Sequence, residues 1–140
     1  MKKTKHNIRL DCPDDLVIYN SPGALSQLLT NLVMNSLIHG FNGIENGEIG
    51  ITVSEHEDLL RVQYSDNGKG MDEETLKNMY NPFFTTKRGQ GGTGLGMHIV
   101  YNLITQKLGG QISAESGIEE GTTFDIRVPL KQEIENELYN

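Results

Sequence analysis

Several short stretches of the chain alternate hydrophobic and polar residues, which is the two-residue period of a β-strand. In Asn7–Cys12 the alternating hydrophobic residues are Ile8, Leu10 and Cys12, so we expect Cys12 to be a small buried thiol in a strand. The polar stretch Glu55–Asp58 is expected to form a hairpin turn. The other predicted strands are Leu16–Tyr19, Glu48–Ser54, Leu59–Ser65, Gln111–Glu115 and Thr122–Val128.

Two longer stretches carry hydrophobic residues at the spacing of an amphipathic helix. The first begins with Ser21 as its N-cap and Pro22 at its first helical position, and it runs to about Ile38. The second is Leu95–Leu108, and a short helix is expected over Asp72–Met79, capped by its first residue. The residues predicted to face the core are Leu25, Leu28, Leu29, Leu32, Val33 and Leu37 in the first long helix, and Ile99, Val100, Leu103, Ile104 and Leu108 in the second.

The segment Tyr80–Gly94 has no hydrophobic period and many glycines, which predicts a long mobile loop. Loops of that length are usually functional or disordered. The polar end Lys131–Asn140 is expected to be a frayed tail or a short terminal helix. The order of strands, helix, strands, two helices and strands predicts an α+β two-layer sandwich, in which one mixed or antiparallel sheet has its helices packed on one face.

Length and charge narrow the possible functions. The 140 residues suit a single domain, 1–140. A formal net charge of −7 argues against nucleic acid and anionic lipid as partners, since both are negatively charged. The single cysteine excludes an internal disulfide and indicates a reducing compartment. No apolar run approaches the roughly 18 residues that span a membrane, and the basic N-terminus lacks the apolar stretch of a signal peptide.

Polar residues interrupt the first long helix on one face. Asn31 and Asn35 lie four residues apart, so their side chains share that face, and Gln27 extends the stripe. Amide oxygens suit Mg²⁺, which also keeps waters and binds substrate phosphate oxygens. One hypothesis is therefore a magnesium site; the alternative is that these side chains are solvated or cap a neighbouring loop.

Two glycine-rich segments carry further candidate chemistry. In Asp66–Gly70 the glycines permit close backbone approach, and the carboxylate can accept a hydrogen bond from an exocyclic amine. An ordinary turn is the alternative. Gly91–Gly96 runs directly into the second long helix, where exposed N–H groups can cradle an anion. It is neither a P-loop nor a dinucleotide fingerprint, because no Gly-Lys-Ser/Thr follows and no buried strand precedes it. A linker is the alternative.

These segments follow one another in an order that resembles the catalytic domain of sensor histidine kinases, in the GHKL ATP-binding superfamily. NLVMNSLIHG resembles that family's N box, DNGKGM its G1 box, NPFFTTK its F box, GGTGLGMHIV its G2 box and GTTFDIRVPL its closing strand. The resemblance covers the chain from about Ile8 to Leu130. It implies a Bergerat-type fold, with a mixed sheet of about five strands, three helices on one face and a mobile ATP lid at Tyr80–Gly94.

For the phosphate end of the site, the resemblance implies that Asn35 coordinates a Mg²⁺ ion on the ATP phosphates and that Asn31 supports metal or phosphate. The family often has Lys or Arg three residues after the metal-binding Asn. This chain has Ile38 there, followed by His39. We expect the basic contribution to come from His39 instead, or from the basic residues of the lid.

For the adenine end, the resemblance implies that Asp66 accepts the adenine amino group and that Gly68 and Gly70 let the purine lie against the backbone. Thr122 would hold the adenine through water. Asn31, Asn35 and Lys87 are the expected catalytic residues, and Asn35 is the expected metal ligand. The expected nucleotide contacts are Asn31, Asn35, His39, Asp66, Gly68, Gly70, Met71, Phe84, Thr85, Lys87, Gly92, Thr93, Gly94, Leu95, Gly96 and Thr122.

In the lid, Phe83 and Phe84 would anchor the loop or meet a partner domain, although core packing is the expected role of one of them. Lys87 or Arg88 could pair with phosphate oxygens. The acceptor histidine is expected outside this chain, because His6 leads into a strand and nothing resembles the family's acceptor helix.

The function that the resemblance implies is transfer of the γ-phosphoryl group of MgATP to a histidine on the dimerisation domain of the same kinase. A response regulator is then an indirect partner in two-component signalling, with ATP and Mg²⁺ as cofactors. We expect an isolated catalytic half that is monomeric, does not label itself and works in the cytoplasm, with the cytoplasmic part of a membrane-bound sensor as one arrangement.

Three other readings of the site remain open. ATPases of the gyrase, mismatch-repair or heat-shock chaperone type, and anti-sigma-type serine kinases, typically have Glu where this chain has Asn31, and an amide cannot act as a general base. A domain that only binds partners would be expected to have lost Asn35, Asp66 or the glycines, and this sequence retains them.

Overall fold

A five-stranded mixed sheet forms one layer of the molecule. The computed structural model describes residues 6–14, 16, 20, 22–81 and 95–130. Within these residues the strand order is β1-β2-β3-β5-β4, with β1 parallel to β2 and every other pairing antiparallel. The α+β class predicted from the sequence is confirmed. The strands are β1 Asn7–Asp11, β2 Glu48–His56, β3 Leu59–Asp66, β4 Gln111–Ser116 and β5 Thr122–Pro129.

Both long helices change from α to π geometry before they end. The helix α1, Pro22–Asn35, is followed by a first π-turn, and α3, Leu95–Asn102, is followed by a second. At the end of the first π-turn, the N–H of Phe41 donates to the carbonyl of Ser36, five residues earlier, at 2.8 Å. No helix within the described ranges is long and apolar enough to cross a membrane. The helices are α1 Pro22–Asn35, α2 Glu73–Asn78 and α3 Leu95–Asn102, and the π-turns are Ser36–Gly40 and Leu103–Lys107.

Some predicted elements fall outside the part of the chain that is described. They are the N-cap at Ser21, residues 17–19 of the predicted second strand, residues 82–94 of the predicted loop and the tail at 131–140. Leu16 is described and belongs to no strand. The cap of the short helix is confirmed, because the Asp72 side chain accepts a hydrogen bond from the N–H of Thr75 at 2.7 Å.

The core lies between the sheet and the helices. Its members on the strands occupy alternate positions, such as Leu60, Val62 and Tyr64 on β3, while the intervening positions face the other side of the sheet. This alternation is what a sheet covered on one face requires. The other core residues include Leu28 and Leu32 on α1, Val100 on α3, Leu103, Ile104 and Leu108 after it, and Phe124, Ile126 and Val128 on β5.

Three inferences about burial were wrong. Cys12 is exposed, since it lies just beyond β1, whose five residues are all exposed and which is at the edge of the sheet formed by the described strands. Leu37 is 37% exposed, since it lies in the π-turn and no longer follows the α-helical stripe. Ile99 is 38% exposed, because the inward stripe of α3 contains Met97 and Val100 instead.

The turn after β3 packs directly against the turn between β4 and β5. The N–H of Glu119 donates to the carbonyl of Lys69 at 2.6 Å. Gly70 has φ +71°, and a Cβ atom there would overlap the carbonyl oxygen of Gly117. Only glycine meets both conditions without displacing the backbone.

Replacing Leu28 tests the orientation of α1. Leu28 is fully buried, whereas Leu37 lies on the exposed side of the following turn. Leu28→Ala should lower the free energy of unfolding by about 2–5 kcal/mol, because it leaves a cavity. Leu37→Ala should lower it by less than about 1 kcal/mol. Urea denaturation measures both; equal losses would contradict the helix orientation.

Replacing Gly70 tests the contact between the two turns. Gly43 is a suitable control, since its φ is +84° and its Cβ position has nothing within 4 Å. Gly43→Ala should lower the free energy of unfolding by about 1–2 kcal/mol through backbone conformation alone. Gly70→Ala should lower it by roughly 3 kcal/mol or more, because the turns must also separate. If the two variants lose the same stability in urea, the turns are not in contact.

Candidate functional site

A cavity of about 450 Å³ opens beside the last residue of β3 and the first residue of β5. This volume is within the range of small-molecule sites, about 300–1,000 Å³. Its wall is formed by the end of α1 with the first π-turn, by the turn after β3, and by the β4–β5 turn with the start of β5. Residues around α2 and Met97 on α3 complete it. Six residues that the sequence predicted for a nucleotide site line it together: Asn35, His39, Asp66, Gly70, Met71 and Thr122.

The other predicted site residues are placed as follows. Gly68 is buried next to the cavity, and a Cβ atom on it would collide with the backbone of Gly40. Asn31 lies one helical turn before the cavity; its amide nitrogen is buried and has no hydrogen-bond partner among the described residues. Leu95 begins α3. The predicted residues Phe83, Phe84, Thr85, Lys87, Arg88, Gly92, Thr93 and Gly94 lie outside the described residues, and of Gly96 only the helical backbone is described.

Asp66 is held by donors from two directions. It ends β3 and pairs with Thr122 on β5. Its Oδ1 accepts from the N–H of Gly68 at 3.0 Å, and its Oδ2 accepts from the hydroxyl of Ser36 at 2.6 Å. A carboxylate oxygen can accept more than one hydrogen bond, so both oxygens keep capacity for a donor in the cavity.

The hydroxyl of Thr122 is oriented by its neighbour Ser116. The Ser116 hydroxyl donates to the carbonyl of Gly121 at 2.8 Å and accepts from the N–H of Met71 at 2.8 Å. The hydroxyl oxygens of Ser116 and Thr122 lie 2.9 Å apart, and either hydroxyl can donate in this contact. Thr122 also lines the cavity, where its oxygen can accept a hydrogen bond.

The end of the cavity nearest α1 has amide and imidazole groups. Asn35 and His39 are four residues apart across the start of the first π-turn, and both line the wall. Ile38, at the family's usual basic position, is 39% exposed and does not line it. Within the described ranges no group of three or more His, Cys, Asp or Glu side chains could hold a metal. A metal here would therefore depend on an amide oxygen and on ligands that come with a substrate.

The charges on the described wall are mainly negative. Asp66, Asp72 and Glu119 are acidic, and Lys69 is basic. The N–H of Thr75 holds the pKa of Asp72 below its usual value by hydrogen bonding to the carboxylate. Such a wall repels phosphate groups and suits a neutral, hydrogen-bonding base. A triphosphate would have to extend toward Asn35 and His39.

Nine residues of the wall were not predicted as site residues from the sequence. Lys69 lies inside the motif that contains Asp66, and Met79, Met97 and Phe124 lie in predicted helices and a predicted strand but were given no role in a site. Ile118 and Glu119 belong to a turn without any sequence signal, and tertiary packing alone brings them to the cavity. The nine are Gly40, Lys69, Asp72, Thr75, Met79, Met97, Ile118, Glu119 and Phe124.

Comparison with known proteins shows similarity over nearly the whole chain. The family model of histidine kinase-, DNA gyrase B- and HSP90-like ATPases matches residues 20–132. Sporulation kinase E of Bacillus subtilis is 35% identical over 91% of this chain. Sensor histidine kinase ZraS of Klebsiella oxytoca is 36% identical over 86% of it. The chain spans only 17% of the first and 25% of the second of these relatives.

Solved structures agree with this similarity. The catalytic domain of histidine kinase ThkA is 32% identical with a TM-score of 0.74, over 92% of this chain and 82% of that chain. Full-length ShkA in complex with AMPPNP is 25% identical with a TM-score of 0.73, over 89% of this chain and 25% of that chain. The chain therefore belongs to the histidine kinase-, DNA gyrase B- and HSP90-like ATPase family, as a sensor histidine kinase ATP-binding domain of the GHKL type.

Proposed function

We propose that this domain binds MgATP and transfers its γ-phosphoryl group to a histidine on a separate dimerisation domain of the same kinase. The observation that carries the proposal is the Asp66 carboxylate. It is fixed by two donors at the wall of a nucleotide-sized cavity and keeps free acceptor positions. A purine with an exocyclic amine supplies the matching donor.

The adenine would occupy the end of the cavity beside β3 and β5. Met71, Met79 and Met97 provide an apolar and adaptable wall there, since thioether side chains adjust to a flat ring. Asp66 would accept from the 6-amino group, and Thr122 offers an acceptor for a bridging water. The backbone at Gly70 leaves no side chain between the turn and the base.

The phosphates would extend toward α1, away from the acidic part of the wall. Asn35 and His39 line the cavity where α1 ends and the first π-turn begins. The buried amide nitrogen of Asn31 has no partner among the described residues, so it is available to a phosphate oxygen or to the lid. The Asn35 amide oxygen would hold Mg²⁺, which when bound would supply neutralisation of the phosphate charge. Lys87 and the glycines before α3 are proposed as further phosphate contacts.

We propose that the domain contributes to phosphoryl transfer by positioning the nucleotide and neutralising the charge of its phosphates. This reaction needs orientation and charge stabilisation more than covalent catalysis. Asn31 carries an amide, which cannot activate water as a general base. We therefore favour transfer to a partner histidine over hydrolysis or transfer to serine.

The related proteins support this assignment. ShkA was solved with AMPPNP, an ATP analogue, and ThkA is described as a histidine kinase catalytic domain. By this similarity we propose that the present chain is a single catalytic domain. Its partner would be a histidine-bearing dimerisation domain in the cytoplasm, and a response regulator would act after that domain.

Calorimetric titration with ATP, with and without Mg²⁺, tests the proposal. Saturable, Mg²⁺-dependent heat without continuing heat release is the expected result, and ATP labelled at its γ-phosphate should leave no label on the domain alone. Steady heat release after saturation would indicate hydrolysis and overturn the transfer assignment. Absence of binding would remove ATP as the ligand.

Replacing Asn35 tests its role as the metal ligand. In Asn35→Ala the amide oxygen is lost, so ATP affinity should fall by about tenfold or more with Mg²⁺ present and change little without it. Asn102→Ala is the control, since Asn102 is an exposed asparagine on α3 that contacts His98. The measurement is the same titration at several Mg²⁺ concentrations. A mutant with unchanged Mg²⁺ dependence would remove Asn35 from this role.

Replacing Asp66 tests recognition of the base. Asp66→Ala should weaken ATP binding by about 10- to 100-fold and erase the preference for ATP over GTP, because a hydrogen bond to a charged group is lost. Asp125→Ala is the control: Asp125 is an acidic residue on the uncovered face of the sheet, where it pairs with Arg61 at 2.9 Å. Competition between the two nucleotides measures the preference. An Asp66 variant that still discriminates contradicts the assignment.

A further inference from the structure

A chain of buried polar groups lies behind the carboxylate of Asp66. The hydroxyl of Ser36 donates to Asp66 Oδ2 at 2.6 Å and also lies 2.6 Å from the hydroxyl of Tyr64. The Tyr64 hydroxyl lies 2.9 Å from the carbonyl oxygen of Leu32, to which it can donate. Ser36 is 2% exposed and Tyr64 is fully buried. The carboxylate is thus connected to the backbone of α1 through two hydroxyls that water does not reach.

The number of protons determines the direction of these hydrogen bonds. An ionised carboxylate only accepts, so the single proton of Ser36 points at Asp66. The proton of Tyr64 is then shared between the oxygens of Ser36 and Leu32, and burial raises the pKa of Tyr64, which keeps that proton in place. A buried hydroxyl without a partner is unfavourable, so Ser36 stabilises the orientation of Asp66 that satisfies it.

The two donors to Asp66 come from different elements. Gly68 belongs to the same turn as Asp66, whereas Ser36 is the first residue of the π-turn after α1. With Gly68 alone, the carboxylate could rotate about its Cβ–Cγ bond, and hydrogen bonds weaken steeply when their angle departs from linearity. Ser36 fixes that rotation relative to the helix that also bears Asn35.

We propose that Ser36, supported by Tyr64, is a positioning residue that holds Asp66 so that its free acceptor positions meet the 6-amino group of a purine. Selectivity for adenine would then depend on a serine that does not touch the nucleotide. This inference rests on the proposed function, because it requires ATP in the cavity. A merely structural Ser36 would instead affect every nucleotide equally.

The test combines a substitution in the protein with one in the ligand. Purine riboside triphosphate carries hydrogen where ATP carries the 6-amino group, and calorimetry gives the affinity of both. Ser36→Ala should weaken ATP binding about tenfold and leave binding of purine riboside triphosphate within about twofold. Ser36→Cys has a side chain of similar size with a weaker hydrogen-bond donor. Its ATP affinity should therefore lie between those of wild type and Ser36→Ala. Ser65→Ala is the control, a serine beside Asp66 in sequence that is exposed on the other face of β3.

Tyr64→Phe provides an independent arm, because it keeps the ring in the core and removes only the hydroxyl. It should reduce the preference for ATP over purine riboside triphosphate about threefold. If Ser36→Ala does not fold, a Tyr64→Phe protein with the wild-type preference overturns the inference.

The remaining outcomes separate the two proposals. Equal weakening of binding of both ligands by Ser36→Ala, or no weakening of either, overturns the positioning role but not the proposed function. A wild-type domain that binds neither ligand overturns the proposed function and this inference with it.

Discussion

The candidate site depends on the backbone of Lys69, which connects three segments that are distant in sequence. Its N–H donates to the carbonyl of Gly40 at 2.9 Å, and its carbonyl accepts from the N–H of Glu119 at 2.6 Å. The first contact holds the end of the first π-turn against the turn after β3, and the second holds the β4–β5 turn against the same segment. Glycines on both sides, Gly68 and Gly70, allow this approach because a Cβ atom at either would collide with neighbouring backbone. These three segments form a large part of the wall of the cavity.

The wall of the cavity carries two kinds of chemistry. β3 brings Asp66 to a wall that also contains Met71, Met79 and Met97, which suits a neutral base. The end of α1 and the first π-turn bring Asn35 and His39 to the same wall, and in the proposed function these residues face the metal and the phosphates. Ser36 connects the two groups, since it follows Asn35 directly and donates to Asp66. In the proposed function, base recognition and phosphate placement would therefore depend on the same turn of helix.

Local patterns in the sequence predicted most elements, because period and turn chemistry are properties of neighbouring residues. Of the six predicted residues that line the cavity, residue chemistry indicated Asn35, Asp66 and Gly70, whereas His39, Met71 and Thr122 came only from the family resemblance. Local patterns could not predict the exposure of Cys12 beyond β1, or of Leu37 in the first π-turn. Nor could they predict Ser36 as a partner of Asp66. The sequence shows only one more polar residue in a helix, and it is tertiary packing that places Ser36 between Tyr64 and Asp66. Ile118 and Glu119 were not predicted to line the cavity, because tertiary packing alone brings them there.

The central claim is that the cavity between Asp66 and Asn35 holds the nucleotide. Backbone amide NMR of the labelled domain during titration with MgATP tests this most directly. We predict shifts at Gly68, Gly70 and Thr122, and none at the hairpin turn Glu57–Asp58 at the far end of β2 and β3. Shifts confined to that far end, or none at all under saturating nucleotide, would contradict the account.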